Sequence, residues 1–161
     1  MPNNQQNGKP SGMWGSRFSK SLDEHAIRLS YSLDFDFRLF PYDIAVNRAH
    51  VSGLKRSRLL TEDEAKQLQD ALDDVLEAAD TEPGFFEADD EDIHSFVERK
   101  VIDICGDLGK KMHTGKSRND QVITDMRLLM KESSLEIQDL LCSIMKQLVG
   151  RASESLDVLF P

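Results

Sequence analysis

The chain has 161 residues and carries 20 Lys and Arg against 29 Asp and Glu, a formal net charge of −9. With 39% hydrophobic and 30% charged residues it has the composition of a folded soluble protein, and no apolar run approaches the roughly 18 to 20 residues a membrane-spanning helix needs. Neutralising phosphate takes a basic face that the overall acidity does not supply, so neither nucleic acid nor membrane is an expected partner.

Met1 to Gly12 reads MPNNQQNGKPSG, polar and punctuated by Pro and Gly, without the apolar core of a secretory signal or the Arg-rich pattern of a transit peptide. A disordered tail over 1–12 on a cytoplasmic protein is the expectation. Trp14 and Phe18 are expected to tie the following segment onto the body of the fold. Ser30-Tyr31-Ser32 reads as a loop offering hydroxyls.

Proline placement then divides the chain. Pro2, Pro10, Pro41, Pro83 and Pro161 leave two long Pro-free stretches in which apolar residues recur at helical spacing, which predicts an all-α fold. A helix runs from Pro41 through Ile44, Val51 and Leu54 and weakens between Gly53 and Arg58. Thr61 with Glu64 forms a capping box, and the helix it opens buries Ala65, Leu68, Leu72, Val75 and Leu76 before ending ahead of Pro83-Gly84. A third helix begins in the acidic run Asp89 to Asp92, where carboxylates suit the positive end of the helix dipole. It carries Ile93, Phe96, Val97, Val101 and Ile104 on one face, and Gly106 and Gly109 close it.

The longest element is predicted from about Asp120 to Leu156, with Val122, Met126, Leu129, Met130, Ile137, Leu140, Leu141, Ile144 and Leu148 at three- and four-residue steps. At about 1.5 Å per residue it measures on the order of 55 Å, more than a globule of this size can cover. Its stripe must find neighbours in further chain or in other subunits, as in a helical bundle. The expected organisation is a tail over 1–12, a helical domain over 13–119 and the start of a bundle over 120–161. Cys105 and Cys142 lack CxxC or paired His spacing and read as buried free thiols in a reducing compartment.

The segment richest in chemistry is His113-Thr114-Gly115-Lys116-Ser117-Arg118-Asn119-Asp120, just ahead of the long helix. A capped loop explains its Gly, Ser, Asn and Asp. It does not explain Lys116 and Arg118, because cations beside a helix N-terminus oppose its positive end. A carboxylate or phosphate arriving there reverses that penalty, meeting free amides and a guanidinium together. The P-loop alternative fails, since Gly-Lys-Ser here lacks the first Gly of the motif and no strand-like run precedes it. Glu91-Asp92-Ile93-His94 is a weak metal signal without EF-hand spacing, leaving His94 as a hydrogen-bonding group in a cleft. His25 and His50 have no comparable company.

Together these segments resemble the argininosuccinate lyase family of the fumarase/aspartase superfamily, from Met13 to Pro161. Trp14-Gly15-Ser16-Arg17-Phe18 is similar to the family's Trp-Gly-Gly-Arg-Phe, Asp90 to His94 to its acidic Ile-His segment, and His113 to Gln121 to its His-Thr-Gly-Arg-Ser-Arg-Asn-Asp-Gln. The resemblance implies an N-terminal helical domain of the fumarase/aspartase type, followed by the first long helix of the central bundle. It implies an elimination that splits argininosuccinate into arginine and fumarate, with no metal and no cofactor, in a homotetrameric cytoplasmic enzyme. Positions matching Ser32 and Asn119 bind substrate, those matching His94, Ser117 and Arg118 line the cleft, and no proton-abstracting group is assigned in this chain. Lys116 stands where the family has Arg, Ser16 replaces a Gly, and Leu29 to Ser32 follows the family's Phe-Asn-x-Ser loosely. The family continues beyond Phe160-Pro161 with the His and Ser segments of its catalysis, so an inactive N-terminal piece is the expectation. A structural role like that of the related lens crystallins is the alternative, and a cousin such as adenylosuccinate lyase or fumarase a weaker one.

Overall fold

A computed structural model describes residues 24–159. The expected tail over 1–12, the anchoring role of Trp14 and Phe18, and Ser16 lie outside the described residues. The elements are α1 (Glu24–Ser30), α2 (Leu33–Asp36), a 3-10 turn (Phe37–Leu39), α3 (Phe40–Arg56), α4 (Glu62–Thr81), α5 (Ile93–Cys105), α6 (Asp107–Lys110), a second 3-10 turn (Lys111–His113) and α7 (Arg118–Glu154). The described residues contain no strand, and the fold is all-α.

Helices α3, α4 and α5 pack on one another around fully buried Val51, Leu68, Leu72, Ile93, Phe96, Val97 and Val101. Each such side chain contributes about 1.5 to 3 kcal/mol relative to exposure. The capping box predicted for α4 is formed: the Glu64 amide donates to Thr61 Oγ1 at 3.2 Å and the Thr61 amide to Glu64 Oε2 at 2.9 Å. The acidic run before α5 differs from expectation, because only Asp92 takes part in the helix, as its N-cap, accepting from the Ser95 amide at 2.6 Å. Asp90 instead accepts a forked grip from Arg99, Nε at 2.9 Å and Nη2 at 2.6 Å, which folds the acidic segment back along the helix. Edge-to-face contacts of Phe85 with Phe40 and Phe96, at 5.8 and 5.1 Å between centroids, hold the same loop over the head of α5.

Two further details depart from the sequence reading. Ile104 is 50% exposed, and its neighbour Cys105 takes up the contact with α4, its Sγ 3.7 Å from the Gln67 carbonyl. Gly109 does not close α5 but sits inside α6, where a Cβ would lie 2.7 Å from the Ile102 Cα, so the absence of a side chain lets α6 dock on α5. Gly106 is the residue that ends α5, with φ +59°.

Helix α7 is 37 residues long, about 55 Å at the usual rise, and begins two residues ahead of the expected start, with Ser117 as N-cap. Its N-terminal turns lie against α3, and Tyr42 Oη donates to the Glu132 carboxylate farther along. Its remaining length is uncovered: Leu135, Ile137, Leu140, Leu141, Ile144, Met145, Leu148 and Val149 are each at least 55% exposed. Cys142 lies in this stretch and is exposed, against the expectation of a buried thiol. The stripe is apolar enough to bury, but nothing within the described residues reaches it.

Candidate binding site

The turn that feeds α7 is built around Gly115, whose φ of +68° is open to glycine at little cost. The Lys116 amide donates to the His113 carbonyl at 3.2 Å, and the first bond of α7 runs from the Gln121 amide to the Ser117 carbonyl at 3.1 Å. Amides in the first turn of a helix have no intrahelical acceptor, so this end is an anion-receptive surface. Ser117 and Asn119 stand exposed upon it, and the Ser117 hydroxyl forms no cap bond.

The two cations of the turn do not wait free for an anion, which corrects the sequence argument. Lys116 Nζ donates to Asn47 Oδ1. Arg118 donates from Nη1 to Gln121 Oε1 at 3.1 Å and from Nη2 to Glu98 Oε2 at 3.3 Å, with Ser95 Oγ at 3.5 Å. Arg118 Nε alone lacks a partner, and the side chain is 19% exposed. The cations are pre-positioned by internal acceptors, so their charge supports the surface occupied by Ser117 and Asn119. His50 also has company here, its Nε2 lying 3.0 Å from the Thr114 carbonyl.

Beneath the turn lies a buried polar cluster. Asp43 and Asn47 come from α3, His94 from α5, and Gln121 and Asp125 from α7, none more than 3% exposed. Asp43 Oδ2 accepts from Asn47 Nδ2 at 2.9 Å, and its Oδ1 accepts from Gln121 Nε2 and lies 3.0 Å from His94 Nδ1. Asp125 Oδ2 is 3.3 Å from the same nitrogen, and neither Asp125 oxygen has a hydrogen-bond partner. Burial, then the charge of Asp43, pushes the Asp125 acid up to about 7. Burial pulls His94 down, but the hydrogen bond and charge of Asp43, with Asp92 and Asp125, outweigh it and leave the imidazole above its ordinary range. Burial lowers Lys116, against the opposing pull of Asp43.

Asp43, His94 and Asp125 present donor atoms within 4.8 Å of one another, a spacing a cation could bridge. Both Asp43 oxygens already accept amide hydrogens, however, and the Lys116 ammonium lies alongside. The cluster is therefore suited to holding protons: His94 Nδ1 lies between two carboxylates, and burial beside Asp43 favours the protonated form of Asp125.

Ser32 lies beside the segment that leads into α5. Its amide donates to the Glu91 carbonyl at 2.8 Å and its hydroxyl to Asp36, whose Oδ1 accepts from the Ile93 amide at 3.1 Å. The head of α5 thus meets three groups: the Ile93 amide donates to Asp36, the His94 ring faces Asp43 and Asp125, and Ser95 Oγ lies 3.5 Å from Arg118 Nη2. This brings Ser32 and the α7 turn onto one end of the molecule. His94 is inside, so it supports the surface and does not itself form it. Sequence reading missed Asn47, Gln121 and Asp125; the available signal was two polar i, i+4 pairs, Asp43–Asn47 and Gln121–Asp125, lying in register with apolar stripes.

Residues 16–161 match the protein family described as Lyase, and the chain belongs to that family. More particularly, it is similar to the argininosuccinate lyases of Legionella pneumophila subsp. pneumophila (strain Philadelphia 1) and of Legionella pneumophila (strain Paris). Each is 41% identical over 149 residues, which is 92% of this chain and 36% of the relative. The chain therefore spans about a third of the length of these relatives and corresponds to their N-terminal part. No helix among the described residues is long and apolar enough to cross a membrane.

Proposed function

We propose that this chain is the N-terminal portion of an argininosuccinate lyase and contributes one wall of its binding cleft. In the reaction a proton leaves the carbon next to a carboxylate of the succinyl half. The carbon–nitrogen bond breaks with its electron pair passing to the guanidino nitrogen, and arginine and fumarate separate. The difficult species is the carbanion formed on proton loss, whose charge spreads into the adjacent carboxylate and needs preorganised donors. The amides at the head of α7, the Ser117 hydroxyl and the Asn119 amide are such donors, with the Arg118 charge held beneath them.

The single observation that carries this reading is the exposed Ser117–Asn119 surface set over a cation already fixed by Glu98 and Gln121. Ser32, Ser117, Arg118 and Asn119 are the proposed substrate-binding residues, and His94 acts through the groups it holds. The proton-abstracting group belongs to other parts of the polypeptide or to other subunits. The uncovered face of α7 supports assembly as a homotetramer through a helical bundle, and the two free cysteines fit a cytoplasmic setting.

The test is a hybrid in which this chain replaces the matching segment of a complete argininosuccinate lyase. Fumarate release by the hybrid, with none from the 161-residue chain alone, is the expected result. A hybrid that folds and assembles yet cleaves no argininosuccinate contradicts the reading, and favours a structural role for the segment.

A further inference from the structure

Two buried side-chain amides, Asn47 on α3 and Gln121 on α7, give their NH2 groups to the same carboxylate. Asn47 Nδ2 donates to Asp43 Oδ2 at 2.9 Å, and Gln121 Nε2 donates to Asp43 Oδ1. An amide has a donor end and an acceptor end, so fixing the first fixes the second. The carbonyl ends face the two cations of the α7 turn: Asn47 Oδ1 accepts from Lys116 Nζ, and Gln121 Oε1 accepts from Arg118 Nη1 at 3.1 Å. Reversing either amide sets its carbonyl oxygen against the carboxylate and its NH2 against a cation, which is repulsive at both ends. Asp43 is fully buried, and its charge also acts on Lys116 directly.

Resting on the function proposed above, we infer that Asp43 is a positioning residue of the lyase: it sets the polarity of the Asn47 and Gln121 amides and through them holds Lys116 and Arg118 beneath the substrate-binding surface. The two cations differ in what they lose without the carboxylate. In Asp43→Asn the retained oxygen is expected at the Oδ1 position, where Gln121 Nε2 and His94 Nδ1, the latter at 3.0 Å, converge. The new NH2 group then faces Asn47, which turns over and presents its own NH2 to Lys116. Gln121 and Arg118 keep their bond.

The experiment reads Lys116 by the rate at which acetic anhydride acetylates it in the 161-residue chain, relative to exposed Lys131, with peptide mass spectrometry. Asp43→Asn is expected to speed labelling of Lys116 about tenfold or more, the worth of a hydrogen bond to a charged group. Asn47→Ala should do the same. Adding Asp43→Asn to Asn47→Ala should change the rate by less than about twofold, because Asp43 acts through that amide; a direct effect of its charge would add. Exchanging the pair, Asp43→Asn with Asn47→Asp, lets the amide at position 43 donate to the carboxylate at position 47, whose second oxygen receives Lys116. Labelling should return to within about twofold of the parent. In the hybrid lyase kcat/KM should fall about tenfold or more in Asp43→Asn and recover to within about threefold in the exchanged pair. Additive labelling, an exchanged pair in which Lys116 still reacts fast, or an unchanged kcat/KM in Asp43→Asn overturns the inference. Should Asp43→Asn fail to fold, the exchanged pair decides: labelling like the parent's supports the inference and fast labelling overturns it. A parent hybrid that assembles but does not cleave argininosuccinate overturns the functional reading instead, and the labelling still decides the role of Asp43.

Discussion

Asp43 and Asp125 stand on different helices, α3 and α7, and converge on one atom: the Nδ1 of His94 lies 3.0 Å from the first and 3.3 Å from the second. One N–H cannot satisfy two buried carboxylates, and the pair is relieved when Asp125 takes a proton. The folded state therefore binds protons more tightly than the unfolded chain at both Asp125, raised from 3.8 to about 7, and His94, raised above its usual 6.5.

The sign of the resulting pH dependence follows from linkage. A raised pKa contributes stability that is complete below the unfolded value and is lost as pH rises through the folded one. The melting temperature of the 161-residue chain is thus predicted to fall as pH is raised from about 5 to about 8. In Asp125→Asn the side-chain amide replaces the proton, so the fall should be shallower and stability at the alkaline end at least that of the parent. Circular dichroism melts across this range check it, and an unchanged slope removes Asp125 as the titrating group.

Arg118→Ala in the hybrid lyase should lower kcat/KM by roughly 10- to 150-fold, the equivalent of a charge-assisted contact of about 1.5 to 3 kcal/mol. The fold should persist, because the Glu98 side chain is 27% exposed and water can replace the guanidinium there. Steady-state kinetics with a melt of the same sample separates the two effects. Kinetics like those of the parent exclude Arg118 from the site.

Leu140 is 65% exposed on the uncovered stretch of α7. Leu140→Asp is predicted to leave the melting of the 161-residue chain unchanged while preventing the hybrid from assembling, read by light scattering. An unaltered oligomer contradicts the bundle assignment.

Gly109→Ala tests the packing of α6 on α5. The added methyl meets the Ile102 Cα and backbone nitrogen at 2.7 and 2.9 Å, atoms that cannot swing aside. A loss of about 1 to 3 kcal/mol in chemical denaturation is expected, and an unchanged midpoint shows that α6 yields without cost.

Most of the helical layout was legible because it rests on local chemistry: Thr61 with Glu64, Pro41 and Pro83 as boundaries, and the stripes of α4 and α5. The uncovered α7 was legible too, since its apolar length exceeds what the rest of the chain can bury. The buried cluster was not, because Asp43, Asn47, Gln121 and Asp125 look like ordinary polar residues until three helices bring them to one imidazole. The meaning of Lys116 and Arg118 was misjudged for the same reason. Their acceptors, Asn47 and Glu98, lie 69 and 20 residues away in sequence, and local spacing carries no trace of such pairings.

The most direct measurement is kcat/KM for argininosuccinate in the hybrid lyase after Ser117→Ala and Asn119→Ala are combined. Both side chains are exposed and neither supports the core, so the account predicts an intact, assembled protein whose kcat/KM falls by about 100-fold or more, as expected when donors to developing charge are removed. An assembled double variant that cleaves argininosuccinate at the parent rate contradicts the claim that the head of α7 grips the substrate.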